Sequence, residues 1–359
     1  MRILYALNLY RPSIDGVSIS IERQAIGLSR RGHDIAIVAP GEAFTDYEEE
    51  YEGIRVFRLK AIRLISTQWR LAVMPGRGVE QACDVFRPDI VVVNVPFLLS
   101  RTAWLVARQR GYPLVGITGM MPEWFFYNIG ILRPFAGVLN DGLWRLITDY
   151  YNHCALSFLR AYGLNRPSTV ISNGVQLDTF YPRPRDTELA QRLGVPPKPT
   201  VLYTGRLDAE KCLDVWLRAA AEVRRHVDAH FIVGGDGTER LQLEALARDL
   251  GIAEHVTFPG FFDEQDYARV YSLADVFAIA SPAELQSIVT LEAAASGLPI
   301  VAVNAGALPE LVHHGVNGLL FEPGDSETMA QHLIRLLTRT DERQRMGEAS
   351  LRIAAQHDI

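Results

Sequence analysis

Ser281-Pro282-Ala283-Glu284-Leu285-Gln286-Ser287-Ile288-Val289-Thr290-Leu291-Glu292-Ala293-Ala294-Ala295-Ser296-Gly297 comes directly after a short apolar run at 276–280. The run reads as a buried strand, and the residues after it as a loop and then an apolar helix over 288–296, ended by Gly297. Strand, loop and helix in that order is the repeating unit of a parallel sheet, because the chain must cross back over one face before it adds the next strand. Two carboxylates fall in this unit, Glu284 ahead of the helix and Glu292 about one turn inside it. In so apolar a helix a carboxylate is costly unless paired, so Glu292 is either a ligand contact or a buried structural group. The backbone N–H groups of Gln286, Ser287 and Ile288 lie between the two carboxylates, at the positive end of the helix dipole, where anions bind.

The same unit recurs along the chain. Strands are expected at 2–7, 34–39, 54–59, 89–95 and 113–118, then at 200–203, 230–234, 256–259, 276–280, 299–303 and 318–321. Helices are expected at 18–31, 79–86 and 98–110, then at 213–225, 240–250, 265–274, 288–296 and 326–337. This alternation predicts an α/β chain of two Rossmann-like domains with parallel sheets, 1–175 and 199–359, facing each other across an active-site cleft. Between them, 176–198 is rich in proline, which cannot continue a helix or a central strand, and reads as a linker. No GxGxxG and no GxxxxGK[ST] comes after any strand, so nicotinamide-cofactor and P-loop chemistry lose their main support.

With 359 residues, 48% hydrophobic and 22% charged, the chain is too apolar for disorder and too long for a small binding module. No apolar stretch reaches the roughly 20 residues of a membrane-crossing helix, and the N-terminus reads as a first strand, so a cytoplasmic protein is expected. Cys83, Cys154 and Cys212 show neither a disulfide framework nor zinc spacing. Charge divides unevenly, +3 over residues 1–165 and −9 over the remainder. The stretch 54–78 holds Arg55, Arg58, Lys60, Arg63, Arg70 and Arg77, no acid, and apolar residues between them. It suits either an anionic membrane surface or a solvated basic face. Nucleic acid fits poorly with an acidic chain that carries no RNA- or DNA-binding signature.

Two further loops come after strands. Pro12-Ser13-Ile14-Asp15-Gly16 precedes the first helix, where Gly16 lets backbone approach an anion closely. Gly205-Arg206-Leu207-Asp208-Ala209-Glu210-Lys211 places two cations where a strand turns toward a helix, a pattern that fits a diphosphate or a salt-bridged surface turn. Lys211 is one of only three lysines among 36 cations, so a compact point charge stands where this chain otherwise chooses Arg.

The Glu-x7-Glu segment resembles the family 4 retaining glycosyltransferases, as do Ala305-Gly306-Ala307-Leu308-Pro309-Glu310, Gly315-Val316-Asn317-Gly318, Ile171-Ser172-Asn173-Gly174-Val175 and the loops at Gly16 and Gly205. The similarity covers essentially the whole chain. Pro282-Ala283-Glu284-Leu285-Gln286 and Met121-Pro122-Glu123 look most like members that glucosylate diacylglycerol and form glycolipids. The resemblance implies the GT-B architecture and transfer of a hexose, with UDP-glucose the implied donor, to a hydroxyl of a diacylglycerol-type lipid with retention of configuration. It implies that Arg206 and Lys211 bind the diphosphate and take part in catalysis with Glu284, which also binds the sugar. Gly16, Gly205, Gln286, Ser287, Ile288 and Glu292 complete the donor site, Glu292 at the ribose hydroxyls, and no cofactor or metal is implied. Thr118, Gly119 and Met120 fall on the acceptor side, and the peripheral inner face of the membrane is the implied location.

The chain departs from the family pattern in places. Gly119 stands where relatives carry a His, and Val92 and Asn94 stand near a second missing His. The segment 152–158 runs straight into a helix where relatives have a strand, the crossover helix expected at the C-terminus is missing, and Ser287 replaces a usual Gly. These changes keep open a second class of protein, a sugar-nucleotide binder with weak or lost transferase activity. His33, His226, His230, His255, His313 and His314 read as solvated.

Overall fold

The structure, a computed structural model, describes residues 1–12, 16–63, 70–94, 97–117, 174–284 and 287–358. The chain divides into two compact units, whose described residues are 1–117 and 174–358.

In the first unit the strands are β1 (Arg2–Ala6), β2 (Asp34–Pro40), β3 (Tyr47–Tyr51), β4 (Ile54–Leu59), β5 (Ala61–Arg63), β6 (Arg70–Ala72), β7 (Ile90–Val93) and β8 (Leu114–Gly116). Six of them form one sheet in the order β3-β4-β2-β1-β7-β8. All its pairs are parallel except β3 with β4. Side chains alternate across the sheet: Leu4 and Ala6 join one apolar cluster, while Ile3, Tyr5 and Leu7 join another. Helices therefore cover both faces, Gly76–Phe86 and Leu98–Arg110 on the first and Gly16–Arg30 on the second. The strand β3 and the hairpin β5–β6 were not expected from the sequence.

The second unit holds β9 (Thr200–Thr204), β10 (His230–Gly234), β11 (Val256–Gly260), β12 (Val276–Ile279), β13 (Ile300–Val303) and β14 (Gly318–Phe321) in the parallel order β11-β10-β9-β12-β13-β14. Trp216, fully buried, donates from its indole N–H to Ala278 O at 3.1 Å and ties the helix Leu213–Arg224 to β12. The helix expected over 265–274 is broken into Glu264–Tyr267 and a 3-10 turn Val270–Leu273. The proline-rich stretch contains a helix, Thr187–Leu193, capped by the Asp186 carboxylate on Leu189 N at 2.9 Å, and Phe180, Leu189 and Val195 enter this unit's core. The last long helix, Thr340–Ala354, packs on Ile288–Ala295. Contact is close enough that a Cβ at Gly347 would meet Gly297 O at 2.3 Å. The segment 152–158 lies outside the described residues. Among the described residues no helix is long and apolar enough to cross a membrane.

Candidate functional site

In the second sheet β10 and β11 lie on one side of β9, and β12, β13 and β14 on the other. Crossovers leave β9 and β12 in opposite directions, and ligands bind in the crevice outside the carboxyl ends of such a strand pair. The loops that open there are the Gly205 loop and the Glu284 loop, the two stretches singled out by their charges.

Lys211 Nζ lies 2.7 Å from Glu284 Oε1, an ion pair between the two loops whose side chains are only 16% and 12% exposed. Arg206 donates to Glu210 Oε1 at 2.6 Å and also pairs with the Asp208 carboxylate. Asp208 Oδ1 in turn accepts from the N–H and the hydroxyl of Thr238, both at 3.0 Å. The cluster therefore sets two cations, Arg206 and Lys211, against three carboxylates, Asp208, Glu210 and Glu284, and carries formal charge −1. Glu210 is buried, and its Oε2 has no hydrogen-bond partner among the described residues.

Backbone contacts fix both loops. Gly205 has φ +148°, and a Cβ there would meet the Tyr203 hydroxyl at 2.7 Å; that hydroxyl donates to Arg206 O at 3.0 Å. Burial holds the Tyr203 pKa well above its ordinary value, with the Glu284 charge adding to it, so the phenol remains a donor. The Ser281 hydroxyl donates to Glu210 O at 3.1 Å, joining the β12 loop to the β9 loop a second time. Glu284 O accepts from Ala307 N at 2.9 Å, in the turn where Gly306 has φ +58°.

Glu292 is buried in the helix Ile288–Ala295, and its Oε2 accepts from Tyr267 at 2.7 Å and from Tyr271 at 3.0 Å. The Tyr271 oxygen lies 3.0 Å from Thr204 Oγ1, the last residue of β9, so Glu292 is joined to the same strand end. Ser287 has φ −81°, within ordinary range for any residue, and its Oγ accepts from the Thr290 hydroxyl at 2.8 Å. The Gly-to-Ser change is thus free of backbone strain. Ile288 opens the helix. Of the other expected site residues, Gly16 opens the first unit's first helix, whereas Gln286, Thr118, Gly119 and Met120 lie outside the described residues. Asp208, Glu210, Tyr203, Tyr267 and Tyr271 were not among the residues expected at the site.

At the equivalent switch point of the first sheet, between β1 and β7, Asn8 Nδ2 donates to Asn94 Oδ1 at 3.1 Å and to Ser100 Oγ at 2.8 Å. Its Oδ1 accepts from Ser100 N at 3.2 Å, capping the helix Leu98–Arg110 from another loop.

Two expectations change. The basic stretch is met by acids: Arg58 is buried, 2.7 Å from Glu49 and donating to Pro40 O, while Arg55 pairs with Glu48 and Arg70 with Glu42. Arg58 therefore cannot face a membrane surface. His230 is buried rather than solvated, with Nε2 2.8 Å from the Thr257 hydroxyl.

Comparison with known proteins covers both units. The family model for the glycosyl transferase 4-like domain matches residues 15–148, and that for glycosyl transferases group 1 matches 185–352. The chain is 28% identical to a GDP-mannose-dependent alpha-(1-6)-phosphatidylinositol monomannoside mannosyltransferase of Mycobacterium tuberculosis, over 97% of this chain and 92% of that one. It is 28% identical to the sulfoquinovosyl transferase SQD2 of Arabidopsis thaliana, over 92% of this chain and 65% of that protein. Its fold is similar to that of Anabaena Alr3699/HepE in complex with UDP-glucose, with a TM-score of 0.79 at 22% identity, covering 99% of this chain and 95% of that one.

Proposed function

We propose, from the premise that the chain belongs to the GT-B glycosyltransferases, that it transfers a hexose from a nucleotide-diphosphate sugar to a lipid hydroxyl with retention of configuration. What supports a donor site in the second unit is that Arg206, Lys211, Glu284 and Glu292 all gather at the switch point between β9 and β12. Arg206 and Lys211 take the diphosphate, Glu284 the sugar hydroxyls and Glu292 the ribose. The bond from the anomeric carbon to the phosphate oxygen breaks while that to the acceptor oxygen forms, and the departing phosphate takes the acceptor's proton. Negative charge grows on the diphosphate as it leaves, so fixed cations there stabilise the transition state more than the ground state. Those cations supply the positive charge without a metal, on the reading that Arg206 and Lys211 exchange their carboxylate partners Glu210 and Glu284 for the diphosphate when donor binds. UDP-glucose is the proposed donor; GDP-mannose is the second reading, favoured by the mycobacterial relative. Diacylglycerol is the proposed acceptor, reached from an anionic membrane surface by the basic stretch at exposed Arg63 and Arg77 and half-buried Lys60.

The test is transfer of labelled sugar from a panel of UDP- and GDP-sugars to diacylglycerol in mixed micelles. Arg206→Ala and Lys211→Ala are each expected to lose about 10²-fold in rate, as for removal of one preorganised donor. Unchanged donor affinity and rate in both variants sinks the donor-site assignment. Donor binding without transfer by the native chain would mark a sugar-nucleotide binder instead.

A further inference from the structure

Tyr267 and Tyr271 both donate to one oxygen of Glu292, Oε2, at 2.7 and 3.0 Å. A carboxylate on a free side chain turns about a broad, nearly two-fold torsion. Two donors arriving on the same oxygen from residues four apart fix that torsion and with it the direction of the second oxygen. The arrangement has a definite polarity. Tyr271 commits its proton to Glu292, so the Thr204 hydroxyl, 3.0 Å away, must be the donor to Tyr271. Burial keeps the Tyr271 pKa well above its ordinary value, reinforced by Tyr267 and by the Glu292 charge, and the phenol does not ionise in the neutral range.

The tyrosines are themselves clamped. Phe180 meets both rings edge-on, with centroids 6.0 Å from Tyr267 and 5.7 Å from Tyr271. From the same segment, Arg183 donates to Ala268 O at 3.1 Å, Arg185 to Leu273 O at 2.6 Å, and Asp186 pairs with Arg269 at 2.7 Å. The proline-rich stretch therefore runs along 267–273 and holds that segment in place.

We propose that Tyr267 and Tyr271, backed by Phe180, are positioning residues that aim Glu292 at the hydroxyls of the donor's ribose. This rests on the reading of Glu292 as the ribose contact, and the test separates the two. The full chain is titrated with UDP and GDP, and with their 2′-deoxy counterparts, and the ratio of dissociation constants between deoxy and ribo forms is the readout. For the native chain the ribo form of the preferred nucleotide binds more tightly, by about tenfold, as expected of one hydrogen bond to a charged acceptor. Glu292→Gln is expected to abolish most of that ratio. Tyr267→Phe and Tyr271→Phe, with the carboxylate intact, are each expected to lower it by about three-fold or more, for loss of one of the two donors that fix it. A purely structural role would change melting temperature and the active fraction and leave the ratio alone. Because Tyr267 is half-buried, its variant disturbs packing least, and it decides the matter if Tyr271→Phe fails to fold. A ratio that falls in Glu292→Gln but not in Tyr267→Phe overturns the positioning role and leaves the ribose contact standing. A ratio unchanged in Glu292→Gln overturns both.

Discussion

Lys211 and Glu284, one from the loop after β9 and one from the loop after β12, are joined by an ion pair of 2.7 Å in which neither side chain is more than one-sixth exposed. The residue proposed for the diphosphate thus holds the residue proposed for the sugar before any donor arrives. Removing one partner leaves a largely buried charge, whereas removing both does not. The double variant of Lys211→Ala with Glu284→Ala should therefore cost less than the two single variants added together, by about 1–2 kcal/mol in urea unfolding. Strict additivity would mean that the pair contributes nothing without donor.

Gly235 separates β10 from the Gly205 loop. Its φ is +134°, and a Cβ would lie 1.8 Å from Gly205 O, a backbone atom that cannot step aside without moving Arg206. Gly235→Ala is expected to cost about 3 kcal/mol or more, from backbone strain and overlap together. Gly251→Ala, at φ +70° with nothing among the described residues within 4 Å of the added atom, should cost about 1 kcal/mol from conformation alone. Equal costs in denaturant unfolding would show that the close approach to Gly205 is relaxed in solution.

The parallel strands of both sheets and most helices between them were readable because β-branched runs and 3.6-residue patterns agreed with the final packing. Bounds moved by three residues or fewer wherever an expected element formed whole. Elements that depend on partners were not readable. Glu48-Glu49-Glu50 looks like a solvated loop, yet it forms β3 because Glu50 lies opposite Arg55 and Glu49 reaches Arg58 on β4, at a sheet edge where charge is tolerated. The helix expected over 265–274 forms only as Glu264–Tyr267 and the 3-10 turn Val270–Leu273, and Arg183 and Arg185, about 85 residues away in sequence, donate to the carbonyls of Ala268 and Leu273 there. At the site, charged residues beside strand ends stood out, whereas Tyr267 and Tyr271 show only the i, i+4 spacing common to core aromatics.

Lys60 and Arg63 test the membrane reading more cleanly than Arg58, which is buried against Glu49. Lys60→Gln with Arg63→Gln should weaken binding to anionic vesicles at low salt by about thirty-fold, since each cation at the surface contributes about 1 kcal/mol. The loss should fade as salt screens it. Arg58→Gln should instead lower thermal stability, through the unpaired Glu49, and leave vesicle binding as it was. Undiminished vesicle binding in the double variant would leave only a solvated basic face.

His230 opens β10 at the amino end of the second sheet, away from the ligand face, and is 4% exposed. Burial, aided by His255 and the cations Lys198, Arg185 and Arg224, lowers its pKa from 6.5 to about 4. A base whose folded pKa lies below its unfolded value binds its proton more readily when unfolded. The folded state is therefore fully favoured above pH 6.5 and loses that advantage as pH falls from 6.5 through about 4. By pH 4.5 this group alone should remove about 2.5 kcal/mol of stability, from the 1.36 kcal/mol carried by each pKa unit. His230→Gln keeps a polar partner for the Thr257 hydroxyl and cannot titrate, so its unfolding free energy should fall less between pH 7 and pH 4.5 than that of the native chain. Parallel profiles for the two proteins would show that His230 is reached by water, and protonated, without unfolding.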